Sequence, residues 1–285
     1  MEPGRELRAK MTSSTDGTLL VPIANTETAE RLIDTAADLA RDHSYRILVV
    51  YVVEVPAQLP LTEGDRLVDD EDEAALAYAV DLAEEAGVPI ESRTRYARDV
   101  ATGIVGGVDE HDVDLLLMGW RGRPPRRNIV LGSYLDKVLQ EAPCDVLVKR
   151  IQTPQPAADS VLVPVADGPH NEFATEIAGS VARQQGASVH LLHVVDSDAS
   201  DDEREEGERL LADAEETLAD GFVVTRELVE SDHVAGAITD ATAEHDLTVV
   251  GATQKSALRE RFLGSVSEAV GRNAAGTVVL AQRKL

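Results

Sequence analysis

The two halves of this chain repeat one order of segments, and this repeat constrains the fold more than any other feature. The segment "LLVPIAN" at 19–25 recurs as "VLVPVAD" at 161–167. "DLLLMG" in the first half likewise recurs as "DLTVVG" in the second, and "LGS" follows each of them at the same distance. A constant spacing between matching motifs predicts two copies of one domain.

Within each copy, short apolar runs alternate with amphipathic helical stretches, a pattern typical of parallel strands covered on both faces. In the first half the pattern predicts strands near 18–24, 45–53, 90–96, 114–119 and 144–149, and helices near 26–42, 64–86, 98–110 and 132–141. The predicted fold class is α/β, with two tandem, doubly wound, parallel five-stranded sheets.

The predicted domain organisation follows from the repeat and from two polar segments. Residues 1–16 form a flexible lead-in, 17–150 the first domain, 151–159 a linker containing two prolines, and 160–285 the second domain. The lead-in is charged and polar without an apolar stretch, so it does not resemble a secretory signal.

Composition excludes several function classes. The chain has 52 acidic and 27 basic residues and a formal net charge of −25, which disfavours binding to nucleic acid or anionic membranes. No run approaches the roughly 20 apolar residues of a membrane span, so no direct membrane insertion is expected. A single cysteine, Cys144, excludes an internal disulfide and favours a cytoplasmic location. An acidic chain with few lysines also resembles proteins of extreme halophiles.

A glycine motif follows the predicted fourth strand of the first half. Gly119 is followed by two residues, then Gly122, then nine residues, then Gly132 and Ser133. Glycines allow a ligand to approach the backbone closely, and a helix beginning at 132–133 would direct unpaired N–H groups at an anion. The intervening loop is basic in an otherwise acidic chain, and guanidinium groups pair well with phosphate. Its arginines are Arg121, Arg123, Arg126 and Arg127.

This G-x2-G-x9-G-S spacing, with the "LVP" first strand and the "APCDVLVKR" last strand, resembles the nucleotide-binding motif of the universal stress protein family. The resemblance covers nearly the whole chain as two tandem copies. It implies the adenine nucleotide alpha hydrolase-like (HUP) fold and binding of ATP or a related adenine nucleotide, alone or with Mg²⁺, in a stress-response or regulatory role. Val52, at the end of the second strand, would contact the adenine. The implied binding residues are Val52, Met118, Gly119, Arg121, Gly122, Arg126, Arg127, Gly132, Ser133 and Tyr134.

The sequence departs from the family pattern at the first strand and in the second copy. Family members that bind ATP commonly carry an aspartate where this chain has Ala24 and Ala166. In the second copy Gln254 also replaces the second motif glycine, and a side chain there would crowd a close ligand. We therefore expect nucleotide in the first copy and a degenerate, weak or vacant second site. That second site would comprise Gly251, Gly264 and Ser265.

The resemblance also implies partners. In the family the last strands meet across a dimer interface, so the two copies are expected to form an internal pseudo-dimer, and two chains to pair as a homodimer. The first half resembles the universal stress domains attached to amino-acid permeases, which implies a membrane transporter as a further partner.

Two other function classes remain open at this stage. One is a nucleotide-independent interaction protein, such as a regulator of an amino-acid transporter. The other is an enzyme, but the sequence places no general base or nucleophile, so we expect at most a slow ATPase and no catalytic residue. His190 and His193 fall on opposite faces of one strand and cannot jointly hold a metal, and no metal site is expected.

Overall fold

The computed structural model describes residues 15–121, 133–151, 157–218, 221–252 and 265–285. Within the first half it contains, in chain order, β1 (Gly17–Ile23), α1 (Thr26–His43), β2 (Tyr45–Glu54), α2 (Asp70–Glu85), β3 (Ile90–Ala97), α3 (Val100–Glu110), β4 (Leu115–Trp120), α4 (Ser133–Glu141) and β5 (Asp145–Arg150). The second half contains β6 (Ser160–Pro164), α5 (Pro169–Gln185), β7 (Ser188–Val195), α6 (Asp201–Thr217), β8 (Val224–Glu230), α7 (Val234–Ala241), β9 (Leu247–Gly251), α8 (Ser265–Asn273) and β10 (Thr277–Gln282).

All ten of these strands belong to one sheet, in the order β3-β2-β1-β4-β5-β10-β9-β6-β7-β8. Neighbouring strands are parallel within each half, which confirms the predicted doubly wound fold. The halves join where β5 and β10 pair antiparallel, with Val148 opposite Leu280. The last strands therefore meet inside one chain, as the internal pseudo-dimer requires.

Helices cover both faces of the sheet, and each face has its own hydrophobic core. One core lies under α1, α2, α5 and α6 and continues from one half into the other. The second core lies under α3, α4, α7 and α8 and also continues across the junction. Because every strand away from the edges is covered on both sides, these strands are almost wholly apolar. Because both cores continue across the junction, the two halves form a single packed unit.

The predicted helix at 64–86 is wrong in its first part. Residues Leu61–Leu67 form a 3₁₀ segment, and α2 begins only at Asp70. Asp69 explains the late start: its carboxylate accepts hydrogen bonds from the backbone N–H groups of Glu71 and Asp72, and Asp72 accepts one in return from the Asp69 N–H. This reciprocal cap fixes the first turn of α2.

Reciprocal contacts join the halves beside the β5–β10 pair. Arg150, at the end of β5, donates to the carbonyl of Ala274 at 2.7 Å and to those of Gly271 and Gly276, at the end of α8. Gln282, at the matching end of β10, donates to the carbonyl of Leu139 in α4 at 2.7 Å. Each last strand thus satisfies carbonyl groups at the last helix of the other half.

Helices α1 and α5 pack against each other on the opposite face through polar pairs. The Arg183 guanidinium donates to the Asp42 carboxylate at 2.8 and 2.6 Å, and Gln185 donates to Asp38 at 2.6 Å. Deeper in this contact, the Nζ of Lys149 donates to the Thr35 hydroxyl at 2.7 Å. The junction between the halves therefore contains a buried ammonium group as well as apolar packing.

Candidate functional site

The candidate site lies at the carboxyl end of β4 in the first half, next to β1, where ligands bind in doubly wound sheets. Gly119 is the second-last residue of β4, between Met118 and Trp120, whose side chains are buried in the core under α3 and α4. Met118 is only 1% exposed, so its side chain is not available to a ligand. A Cβ added at Gly119 would lie 2.9 Å from the terminal carbon of the Ile151 side chain.

Helix α4 begins beside this strand end. Its first residue is Ser133, and the hydroxyl of the next residue, Tyr134, donates to the Gly119 carbonyl at 3.1 Å. The first N–H groups of a helix have no partner within the helix and favour an anion in front of them. The Tyr134 contact therefore holds a helix N-terminus against the motif glycine near the end of β4.

Arg121 is the one loop arginine within the described residues, and its guanidinium donates to the Glu27 carboxylate at 2.7 Å. Glu27 lies in the first turn of α1, so this exposed ion pair bridges the ends of β4 and β1. The predicted residues Gly122, Arg126, Arg127, Gly132 and Gly264 lie outside the described residues, as do the side chains of Ser133 and Ser265.

A polar cluster that the sequence analysis missed joins α3 to α4 below the candidate site. The Nζ of Lys137 donates to the Thr102 hydroxyl at 2.7 Å and to Asp99 at 3.3 Å. Asp99 caps α3 and accepts hydrogen bonds from the hydroxyl and backbone N–H of Thr102. These bonds, with Lys137 beside them, lower the pKa of the Asp99 carboxyl. The cluster fixes the first turns of α3 and α4 relative to each other.

Val52 lies near the end of β2, where it packs against α3. A Cβ added at Gly103 would lie 2.4 Å from a methyl carbon of Val52, so the glycine permits close contact between helix and strand. The segment after β2 is held by Arg98, whose Nη1 donates to the carbonyls of Val55, Pro56 and Leu59 at 2.6–3.0 Å. Val52 therefore sits at a strand end whose following turn is fixed.

At the end of β1, the position where the family commonly has an aspartate is taken by alanine. Ala24 is exposed, and Asn25 uses its side-chain oxygen to accept hydrogen bonds from the Thr28 N–H and hydroxyl at 2.9 and 2.8 Å. Asn25 is thus the N-cap of α1. Its side-chain oxygen is therefore engaged in this cap.

The equivalent strand end in the second half is occupied by the protein itself. A Cβ added at Gly251 would lie 2.7 Å from the backbone oxygen of His170 and 2.8 Å from the backbone nitrogen of Asn171, in the first turn of α5. The Gly251 carbonyl accepts from the Ser267 hydroxyl at 2.7 Å. His170 is buried there and accepts a hydrogen bond from the Arg283 N–H. The first turn of α5 therefore packs directly on the glycine that the motif analysis assigned to a second site.

Known proteins of one family are similar to both halves of the chain. The sequence profile described as the Universal stress protein family matches residues 17–150 and again 158–282. A universal stress protein of Methanocaldococcus jannaschii is 29% identical over 137 residues, which cover 46% of this chain and 79% of that protein. The Na(+)/H(+) antiporter NhaS5 of Synechocystis is 27% identical over 92% of this chain, which spans 38% of the antiporter's length.

Among solved structures, a universal stress protein from Archaeoglobus fulgidus superposes with a TM-score of 0.65 at 21% identity, over 94% of this chain and 97% of that one. This similarity shows that the two chains share a fold. Within the described residues, no helix is both long and apolar enough to cross a membrane. With both halves matched by one profile, the chain belongs to the universal stress protein family as a tandem, two-domain member.

Proposed function

We propose that the first half binds an adenine nucleotide, with ATP as the preferred ligand and Mg²⁺ as its companion ion, in a stress-response or regulatory role in the cytoplasm. The observation that carries the proposal is the contact of Tyr134 with Gly119, which holds the N-terminus of α4 against the end of β4. The family membership and the basic loop at 121–127 supply the anion preference.

Each proposed residue has a role in this site. The backbone at Met118, Gly119 and Gly122 lets the nucleotide approach the strand end, and Val52 contacts the base. Gly132 and Ser133, with Tyr134 behind them, present the helix N-terminus to the phosphates. Arg126 and Arg127 pair with phosphate oxygens, and Arg121 joins them after leaving Glu27.

In the second half we propose that Gly251, Gly264 and Ser265 no longer form a nucleotide site. The first turn of α5 lies against Gly251, where a ligand would need to approach the backbone. Occupancy is therefore expected to reach one nucleotide per chain, bound by the first half.

The experiment that tests the proposal compares a matched pair of glycine variants. Isothermal titration with ATP and MgCl₂ at high salt should give about one site per chain in the unchanged protein. Gly132→Leu should weaken binding by about a hundredfold or more, because a side chain would block the helix N-terminus, whereas Gly264→Leu should leave the affinity unchanged. Equal loss in both variants, or no binding in the unchanged protein, would contradict the proposal. Released nucleotide identified by mass spectrometry after denaturation distinguishes ATP from related ligands.

A second candidate function is regulation of a membrane transporter without nucleotide. The alignment of 92% of this chain with 38% of a Na(+)/H(+) antiporter favours it, since a segment similar to this chain is part of that antiporter. Under this alternative the Gly132→Leu variant would retain the activity of the protein in cells, and nucleotide titrations would show no binding heat.

A further inference from the structure

A cavity of about 310 Å³ lies in the second half, under α7 and against β7 and β8. Its lining combines apolar side chains with two histidines and two glutamates: Leu192, Val229, Ala237, Ala241, His190, His245, Glu227 and Glu244. It lies on the α7 face of the second half, away from the candidate nucleotide site at the end of β4 in the first half. The cavity is therefore separate from the proposed nucleotide site.

In the first half, the positions equivalent to the two histidines carry buried apolar residues. Strand register pairs Leu20 with Leu48 in the first half and, at the repeated positions, Leu162 with His190 in the second. His190 therefore occupies the place of Leu48, which is fully buried in the first-half core. A core leucine has been replaced by an imidazole ring.

A second histidine occupies another core position. Asp114 accepts a hydrogen bond from the backbone N–H at the start of β1, and Asp246 accepts one at the start of β6, so these residues correspond. Val113, which is buried, precedes Asp114 in the first half. His245 precedes Asp246 at the equivalent position of the second half. His245 stacks on His190 with ring centroids 5.2 Å apart and planes 21° from parallel.

Two polar atoms in this region are buried without a hydrogen-bond partner among the described residues, His245 Nδ1 and Thr248 Oγ1. Thr248 is 1% exposed and pairs with Leu162 at the position where Leu116 pairs with Leu20 in the first half. Unsatisfied buried polar groups reduce stability. His190 and His245 line the cavity, and Thr248 lies two strands from His190, across Leu162. These apolar-to-polar changes favour a role in binding over a role in packing.

The charges of the lining identify the kind of ligand. Glu227 and Glu244 are exposed carboxylates at the cavity, and none of its described lining residues is lysine or arginine. Glu227 Oε2 lies 3.1 Å from His190 Nε2, so one carboxylate is already oriented by the histidine pair. Leu192, Val229 and the two alanines of α7 offer an apolar wall opposite these charges. Burial and the neighbouring His190 lower the pKa of His245, which keeps that ring neutral beside a cation.

We propose that this cavity binds a small organic ammonium ion, a primary amine with a short apolar body. The ammonium group lies at Glu227 and Glu244, and the apolar body lies against Leu192 and Val229. Among the described residues, no three metal-ligating side chains come together in a geometry that would hold a metal ion. The volume is at the lower end of ligand pockets, which suits a ligand of this size.

The test measures binding of butylamine to the full chain by the methyl resonances of Leu192 and Val229, in 1 M salt to screen non-specific attraction to an acidic surface. 1-Butanol and butyrate serve as neutral and anionic probes of the same length. Butylamine should give saturable shifts with a dissociation constant at least tenfold lower than that of 1-butanol, and butyrate should give none. Equal affinity for the amine and the alcohol, or no saturable shift, would overturn the proposal.

Two variants keep the proposal falsifiable. The double variant His190→Leu/His245→Val installs the residues of the first half, so it should fill the cavity, keep or raise the melting temperature and weaken butylamine binding at least tenfold. Glu227→Gln should weaken binding severalfold, whereas Glu216→Gln, an exposed charge change on α6, should leave it unchanged. Full binding in the double variant, or equal weakening by the two glutamate changes, would show that the amine binds elsewhere.

Discussion

The two ends of the fourth strands, at Gly119 and Gly251, carry the same glycine for different structural reasons. At Gly251 the backbone of α5 lies so close that a Cβ would be 2.7 Å from the His170 oxygen, whereas at Gly119 the nearest atom belongs to the flexible end of Ile151. A motif residue shared by both copies can therefore be packed against backbone in one copy and face only a flexible side chain in the other. Retention of a motif glycine does not by itself indicate a second site.

The largest expected effect tests this difference directly. Gly251→Ala should reduce the free energy of unfolding by about 2–4 kcal/mol, because its methyl group would meet backbone atoms that cannot move without shifting α5. Gly119→Ala should change it by less than about 1 kcal/mol, because the Ile151 side chain can rotate away. Urea denaturation of both variants provides the measurement. Equal losses of stability would mean that Gly119 and Gly251 are equally closely packed, which would contradict the difference between the two strand ends.

A second difference between the halves is the buried Lys149, which corresponds to Ala281 in the second half. Burial lowers the pKa of Lys149 to about 8, with Asp34 and Asp38 opposing that shift. Between about pH 8 and 10.5, Lys149 is therefore largely neutral in the folded chain but protonated in the unfolded chain. Because the unfolded chain binds more protons, this group makes the free energy of unfolding rise with pH across that window.

Lys149→Met should therefore raise the free energy of unfolding at pH 7 by about 1–3 kcal/mol, since an apolar side chain avoids burial of the charge. The advantage should shrink at pH 10, where Lys149 is largely neutral in the folded protein. Chemical denaturation at the two pH values checks this, with the exposed Lys284→Met as control. A variant less stable than the unchanged protein at both pH values would show that the Thr35 hydrogen bond outweighs the cost of burial.

The smallest effect concerns the ion pair between Arg121 and Glu27, which is specific to the first half. Glu27→Gln should strengthen ATP binding about two- to threefold, because an exposed ion pair competes only weakly with phosphate for the guanidinium. Arg121→Gln should weaken binding about tenfold. Titration calorimetry measures both, and Glu30→Gln on the same helix is the control. Equal strengthening by Glu27→Gln and Glu30→Gln would indicate a general charge effect rather than release of Arg121.

Local and repeated features of the fold could be predicted from the sequence. The repeat and the alternation of strands and helices predict both halves, and the pairing of the last strands was expected from the resemblance to the family. The break before α2 was missed because a run of acidic residues is compatible both with the interior of a helix and with its first turn. Only the structure shows that Asp69 caps the helix by accepting hydrogen bonds from Glu71 and Asp72.

The parts of the site that could not be predicted depend on residues far apart in the chain. Arg121 reaches Glu27 on the first helix, and Lys137 reaches Asp99 on another, and neither pairing leaves a periodic pattern in the sequence. The packing of α5 on Gly251 is also long-range. The stack of His190 with His245 was missed for the same reason, because the sequence places His190 nearer to His193.

The antiparallel pairing of β5 with β10 also changes how the two domains stay together. In a dimer of separate chains the pairing depends on protein concentration, but here the partner is always tethered, so dilution cannot separate the halves without breaking the chain. A symmetric dimer must also carry every substitution twice. Within one chain each half is free to change alone, and the equivalent residues Arg150 and Gln282 contact the last helix of the other half with different side chains.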